Sequence, residues 1–434
     1  MSVGQLSPGI EALRELSAFP LVEALFGRRS RRFALGDEIP DGPLAYRSRH
    51  DPVPLSDLER MLVLGAMGGT TGWHFSITRN ARYAPHFPNY AGAAAGRTFP
   101  SAAGFHTAEL FFTDDSGVYF FPTRDAGALV DPAAGEVTPA LMAERHRGLV
   151  RKLADGRLYL PAAEPYLEGH NTWCVNVPGS LLVIPVADIA QHLIAILCFL
   201  TQNGYALYDD VNGHKITALA EFSGLVDTGE PLPLTFIEQY ALTEATAELA
   251  TACCAGVLLL QGMGLGGWMF DRIDRFSMLG ASGDPDVPGL RFRYDQDERW
   301  PVPNPTGREG VFEAYCPPHH PDMAGAVAAF AERKFGPGGP FNPQTPGAWT
   351  DSPRVRGSAQ IHDDAFKACV AVQAQYVFDT FGKFPGTVPS VFIMNYVQAH
   401  HLDLEFYDRF FRQGAYLRTH AEHMQRWHGR PQEH

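Results

Sequence analysis

Four arginines surround one serine at Arg28-Arg29-Ser30-Arg31-Arg32, in a chain of 434 residues whose formal net charge is −13. Guanidinium forks and a hydroxyl match phosphate oxygens, so the run is a candidate phosphate cradle. Read alone, such a run is more often a solvated basic loop after a helix. A second stretch, Arg97 to Leu110, sets Pro100, Ser101, Ala102, Ala103 and Gly104 ahead of His106. Small residues let the backbone come close to a flat or charged object, because nothing on Cβ stands in the way. The Ser101 hydroxyl, the amides of Ala102 to Gly104 and the His106 imidazole would face that object together. An imidazole exchanges protons near neutral pH, which makes His106 the first candidate for proton delivery and His74 the second. The plainer alternative is a turn that feeds a core hairpin. A third stretch, Gly264-Leu265-Gly266-Gly267-Trp268, closes a long Ala/Leu segment, where spare glycines commonly cap a helix.

These groups must be held by the elements around them. Ser7-Pro8 opens a first helix with Ile10, Leu13 and Leu16 on one face, and a second helical piece runs from Pro20 to Phe26, just ahead of the arginines. Residues 55–69 form a helix: Ser56 and Glu59 make a capping box, Leu58, Met61 and Leu62 give the apolar face, and Gly68-Gly69 end it. Trp73, next to His74, either packs a core or lines the same pocket, and the core is the commoner place for it. The loop at 97–110 feeds two aromatic-rich strands over residues 109–121, joined by a polar turn at Asp114-Asp115-Ser116-Gly117. Residues 139–154 read as a helix. The segment 126–237 exceeds an ordinary connection and is either a structured insertion or a diverged second half of the core. Nothing in the spacing of His170, Trp173 and Tyr205 within it points to a pocket. Residues 241–263 form a helix apolar nearly all round, which must be buried in a core or a subunit interface. The Pro/Gly-rich stretch 336–349 reads as a linker or extended arm. The tail beyond it reads as three helices, over 363–384, over 391–411 and finally to about Trp427.

At 45% hydrophobic and 19% charged residues, the composition is that of an ordinary globular protein. Its negative charge opposes binding to nucleic acid or anionic membranes, so any phosphate must sit in a local basic pocket. The six cysteines show no CxxC spacing, and Cys253 and Cys254, inside the apolar helix, are expected as buried free thiols. The N-terminus has no apolar core of a signal peptide, and the most apolar run, 180–200, is broken by Pro185, Asp188, Gln191 and His192. A cytoplasmic chain without a membrane span is therefore expected. In the tail, His400, His401, Asp403, Glu405, His420 and His423 are metal-ligand types. On a helix, however, adjacent His400 and His401 point about 100° apart. His420 and His423 are then a lone i, i+3 pair, and no metal site is expected. Neither GxxxxGK[ST] nor GxSxG occurs.

Taken in order, Arg28-Arg29-Ser30, the run from Pro100 through Ser101-Ala102-Ala103-Gly104-Phe105-His106 to Leu110, Gly117-Val118-Tyr119 and Gly264-Leu265-Gly266 resemble the nitroreductase-like flavoprotein family. The closest resemblance is to the branch of FMN-dependent dehydrogenases that oxidise azoline rings in modified peptides. The matching pieces are scattered over residues 28 to about 290. The resemblance implies an α+β fold with an antiparallel-rich sheet flanked by helices over residues 1–335, including the long insertion 126–237, and a helical C-terminal extension over 336–434. It implies bound FMN, with Arg28, Arg29 and Ser30 on the phosphate. Pro100, Ser101, Ala102, Ala103, Gly104 and His106 would surround the ring edge, and Gly264, Leu265, Gly266 and Gly267 would lie beside its redox-active nitrogen. Arg291 and Arg293 are later phosphate candidates by position in the chain. The implied activity is hydride transfer between the flavin and a reduced donor or organic substrate, in a homodimer whose flavin sites lie between the two chains. A small molecule or peptide would be the substrate and NAD(P)H a candidate donor.

The match has departures. Gly104 and His106 stand where the wider family often carries Asn and Gln, and Ala103 and Thr107 replace a glycine and a proline of the closer branch. They keep a second expectation open: a non-catalytic or partner-dependent flavin-binding protein that retains the fold inside a multi-protein modification complex.

Overall fold

The computed structural model describes residues 8–77, 88–128, 138–388 and 396–430. Its main sheet has seven strands. Six form a continuous path in the order Gly266–Phe270, Tyr396–His400, Leu181–Asp188, Ala108–Asp114, Gly117–Phe121 and Arg151–Asp155, while Thr387–Val388 also pairs with Leu181–Asp188. Every pairing in it is antiparallel. Two pairings fix the middle of the sheet: Val183 stands opposite Phe112 on one side and opposite Val397 on the other. The period-2 alternation of a strand then sorts the side chains. Phe111, Leu182, Ile184 and Trp268 face one cluster, while Leu110, Phe112, Leu181, Val183 and Val397 face another.

The second cluster is closed by two helices. Asp57–Gly68 begins with the expected capping box, in which the Ser56 side chain accepts from the Glu59 amide and the Glu59 side chain accepts from the Ser56 amide. Its Met61 and Leu64 meet Cys253, Val257 and Leu260 of the long helix Leu234–Met263. At 30 residues, the long helix spans about 45 Å. By length and composition it could cross a membrane, yet it runs through the core, with Ala241, Ala245, Leu249 and Ala252 fully buried. Cys253 is buried as expected, whereas Cys254, the next residue round the helix, is exposed.

Several expected elements differ. The long helix starts at Leu234, before the expected 241. The helix at 139–154 stops at Arg147 and gives way to the edge strand Arg151–Asp155. The segment 126–237 supplies the inner strand Leu181–Asp188. The largest correction concerns the tail. Of the helix expected over 391–411, residues 391–395 lie outside the described residues. Tyr396–His400 is a strand between two neighbours, and a helix forms only at Leu404–Phe410, where the Asp403 side chain accepts the Phe406 amide. All five strand residues are buried, so the sequence shows no alternation and a short apolar run cannot be told from a helix. The tail is thus part of the sheet and not an appendage to it. Ser7, expected to open the first helix, is outside the described residues, and that helix runs Pro8–Ala18.

Candidate functional site

Among the proposed stretches, the loop after Pro100 borders a cavity. Ala102–Gly104 form a single 3₁₀ turn, and Ala103 (φ 49°), Gly104 (φ 73°) and His106 (φ 49°) all take left-handed conformations. For alanine and histidine that conformation costs roughly 1–2 kcal/mol each, so the surroundings must impose it. Glu248, fully buried on the long helix, does so. Its Oε2 accepts the Thr107 amide at 2.9 Å, the Thr107 hydroxyl at 2.9 Å and the Ala108 amide at 3.1 Å. Its Oε1 accepts the Ser101 hydroxyl, whose oxygen accepts the His106 amide at 3.0 Å. Ser101 is therefore a staple of the loop. The signal for Glu248 was in the sequence, as a last carboxylate on a helix otherwise apolar from there on, but its partner was not.

The loop closes one side of a cavity of about 430 Å³, lined also by His74, Arg97 and Phe99. The His74 and His106 rings lie 5.2 Å apart, and His74 Nε2 and His106 Nδ1 are buried without hydrogen-bond partners among the described residues. Burial, followed by the charge of Arg97, lowers both imidazoles below their ordinary range, His106 well below it. Both rings are neutral at pH 7, and His74 gives its one N–H to the Ala95 carbonyl, which leaves its Nε2 as an acceptor. Arg97, buried beside them, gives its guanidinium to the carbonyls of Ala95 (3.1 Å), Gly96 (3.2 Å), Arg124 (3.0 Å) and Thr123. Its Nε has no partner among the described residues. Burial, then the nearby Arg333, lowers its pKa to about 10, so it stays charged. Among the described residues no carboxylate forms an ion pair with it, and Glu109, Asp125 and Glu248 act on its charge from nearby. Trp73 lines a neighbouring cavity of about 420 Å³ with Arg124 and Arg333.

The other two stretches lie elsewhere. Arg28, Arg29 and Ser30 are exposed. Among the described residues Arg29 donates to the carbonyls of Phe26 (3.0 Å) and Arg28 (2.7 Å), which leaves donors available to a ligand. Arg31 is buried and committed to Gln261 at 2.7 Å and to the Ala415 carbonyl at 2.9 Å, and Arg32 lies over the Trp268 ring at 5.4 Å. Gly264, Leu265, Gly266 and Gly267 are all buried, which corrects the expectation of a turn open to a ring. A Cβ on Gly264 would strike the Thr419 carbonyl, one on Gly267 the Gln398 carbonyl, and one on Gly266 would lie 2.7 Å from His400 Nε2. These glycines admit the chain's own tail, and a ligand has no access to them. Along the long helix, Glu248 and the Gly264 cap are separated by about 24 Å. One chain therefore keeps the loop and the exposed arginines apart. Arg291 and Arg293 are exposed beside a small separate sheet, and His170 is exposed next to Glu168.

In the tail, His401 and His423 converge, and they do so on Glu59 and His428, which the sequence reading passed over. The remaining candidates are occupied elsewhere. His400, on the opposite face of its strand, packs against Trp268, Glu405 meets His50 at 3.4 Å, and His420 accepts the Leu417 amide at 3.2 Å.

No protein-family profile and no curated protein matches this chain. Among solved structures it is similar to a protein from Ralstonia eutropha JMP134 described as a candidate nitroreductase, at 16% identity and a TM-score of 0.24, covering 59% of this chain and 72% of that one. That distant likeness transfers no residue role to this chain.

Proposed function

We propose that this protein is an FMN-dependent oxidoreductase that works as a homodimer on a small-molecule or peptide substrate. The observation that carries the reading is the strained loop Ala103–His106, held by Glu248 over a cavity with two neutral imidazoles and a buried, unpaired Arg97. Costly backbone conformations persist where a site requires them, and the cavity volume lies within the roughly 300–1,000 Å³ of small-molecule sites. These residues fit the ring end of a flavin. Ala103 and Gly104 offer bare backbone to a flat face, His74 Nε2 offers an acceptor, and His106 and Arg97 offer further polar nitrogens to ring heteroatoms. When bound, FMN would supply hydride transfer. Arg97 would stabilise negative charge in the cavity, and His106 or His74 would hold or pass a proton.

The phosphate end would come from Arg28, Arg29 and Ser30 of a second copy, since within one chain the loop hangs on Glu248 while the arginines precede Arg31, which bridges Gly267 beyond the far end of the long helix. An exposed stripe on the long helix supports such pairing: Phe236, Tyr240, Thr243, Ala247 and Cys254 recur at helical spacing on one outward face. Beside the arginines, Leu21, Val22, Leu25 and Phe26 are also exposed, at 66%, 65%, 50% and 79%.

A second reading, a protein that keeps the fold and binds flavin without turning it over, draws on the buried Gly264–Gly267 turn, where no backbone amide reaches a ring. One experiment separates the two. Purified protein is mixed with FMN, its absorbance is recorded after desalting, and NAD(P)H is then added. Retained yellow colour that bleaches supports the oxidoreductase, and retained colour that a chemical reductant bleaches but no pyridine nucleotide or organic donor does supports the second reading. A colourless protein overturns both.

A further inference from the structure

We propose that Glu59, His401, His423 and His428 form a four-ligand site for a divalent transition-metal ion, Zn²⁺ foremost, that clamps the C-terminal tail onto the N-terminal half of the fold. The four residues come from three elements. Glu59 stands in the first turn of Asp57–Gly68, His401 follows the inner strand Tyr396–His400, and His423 and His428 belong to the last helix, Arg418–His428. One ligand atom from each lies within 4.8 Å of all the others. Glu59 Oε1 is 3.4 Å from His401 Nε2, 2.8 Å from His423 Nε2 and 3.1 Å from His428 Nε2, and the His401 and His428 Nε2 atoms are 3.2 Å apart. A tetrahedron with metal–ligand bonds of about 2.0–2.1 Å has edges of about 3.3 Å. These separations scatter about that edge.

The tautomers point the same way. His401 Nδ1 lies 2.8 Å from the Val53 carbonyl and His423 Nδ1 lies 2.8 Å from the Met263 carbonyl. A carbonyl only accepts, so both Nδ1 atoms carry a proton, and Nε2 is the nitrogen that turns inward and can ligate. Backbone carbonyls fixing the far nitrogen are the usual outer partners of metal-bound imidazoles. Glu59 is fixed in the same manner, because its Oε2 accepts the Ser56 amide at 2.6 Å and leaves Oε1 for the centre. His423 Nε2, at 2.8 Å from that oxygen, is off the line a hydrogen bond needs and is left without a hydrogen-bond partner among the described residues. Three imidazole nitrogens and a carboxylate oxygen thus crowd one point. A proton there would satisfy one or two of these contacts, and a cation satisfies all four.

Burial adds to the case. Glu59, His401 and His423 are 0%, 2% and 3% exposed, and among the described ion pairs Glu59 has no lysine or arginine partner. An ionised carboxylate in such a place requires a compensating charge. The His428 side chain keeps 17% exposure, which gives an ion its way in. Four protein ligands leave no open position, so the site is structural, and it does not depend on the flavin reading.

The test uses the full-length protein, purified without a histidine tag and dialysed free of loose metal. About one equivalent of zinc per chain should remain. After exchange, Co²⁺ should give the intense visible absorption of four-coordinate cobalt. Glu59→Gln keeps the cap on Ser56 while removing the inward charge, and His428→Ala changes the most exposed ligand, so both should fold by circular dichroism. Each should lose that cobalt spectrum and weaken Zn²⁺ binding at least tenfold, and a chelator should lower the melting temperature of the native protein only. His214→Ala, an exposed histidine elsewhere, should change nothing. A native protein that takes up neither Zn²⁺ nor Co²⁺ overturns the proposal. So does a cobalt spectrum of six-coordinate type, or binding unchanged in both Glu59→Gln and His428→Ala.

Discussion

Replacing Glu248 by alanine removes the acceptor on which the loop Ser101–Ala108 hangs. The Thr107 and Ala108 amides, both within 3.1 Å of Glu248 Oε2, then point into a buried space with no other acceptor described for them. Each unsatisfied buried donor costs about 1–3 kcal/mol, so the pair accounts for about 2–6 kcal/mol. The Thr107 hydroxyl escapes this cost because His192 Nδ1 stands 3.3 Å away. The opposing term is release of a buried carboxylate that has no cationic partner among the described ion pairs. Glu248→Gln weighs the two. It can still accept the two amides through its carbonyl oxygen, while its NH₂ turns to Ser101, and if hydrogen bonding dominates it should lose only about 1–2 kcal/mol. Urea unfolding at a common slope gives the stabilities. Hydrogen exchange at Thr107 and Ala108 shows whether the loop opens before the sheet. Glu248 does not hold the loop in this way if Glu248→Ala unfolds within about 0.5 kcal/mol of the native protein, or if Glu248→Gln is the more stable chain.

Joint replacement of Arg28 and Arg29 by alanine should weaken FMN binding by about 1.5–3 kcal/mol per arginine while sedimentation still reports a dimer; unchanged affinity would move the phosphate to Arg97. Leu260 is fully buried and Leu258 lies on the outer side of the long helix, so Leu258→Glu is the variant expected to yield monomer or aggregate and to release FMN. A well-folded yellow dimer from that variant would count against the interface. Acid should destabilise the fold through His146, whose Nε2 accepts the Thr70 amide at 3.0 Å and whose pKa burial, then Arg97, lowers to about 4. The folded value lies below the unfolded value near 6.5, so the unfolded chain takes up the proton first. Stability should therefore fall as pH drops from about 6.5 toward 4, by about 3 kcal/mol in all. His146→Gln should flatten that part of a melting-temperature profile, and equal native stability at both ends of the window would contradict the assignment.

Local chemistry was legible in the sequence. The capping box of Ser56 and Glu59 and the hairpin around Asp114–Gly117 rest on interactions within a few residues, and both formed as read. The burial of one side of the long Ala/Leu helix also followed from its apolar composition, while Phe236, Tyr240 and Leu242 on its other side remain exposed in the single chain. The loop after Pro100 was recognisable as unusual backbone, because small residues mark places where the chain must bend tightly or be approached closely. What the sequence could not determine depended on partners far away in the chain. The Gly264–Gly267 turn looked the same whether a ligand or the chain's own tail came against it, and only the packing of Thr419 and Gln398 decided that. Tyr396–His400 is buried on every side, so it carries no period to distinguish strand from helix, and the two neighbouring strands decided its form. As a strand it sends His400 and His401 to opposite faces. That geometry brings His401 to Glu59, a helix-capping residue 342 positions earlier, and no spacing rule connects two residues whose meeting is set by a shared core.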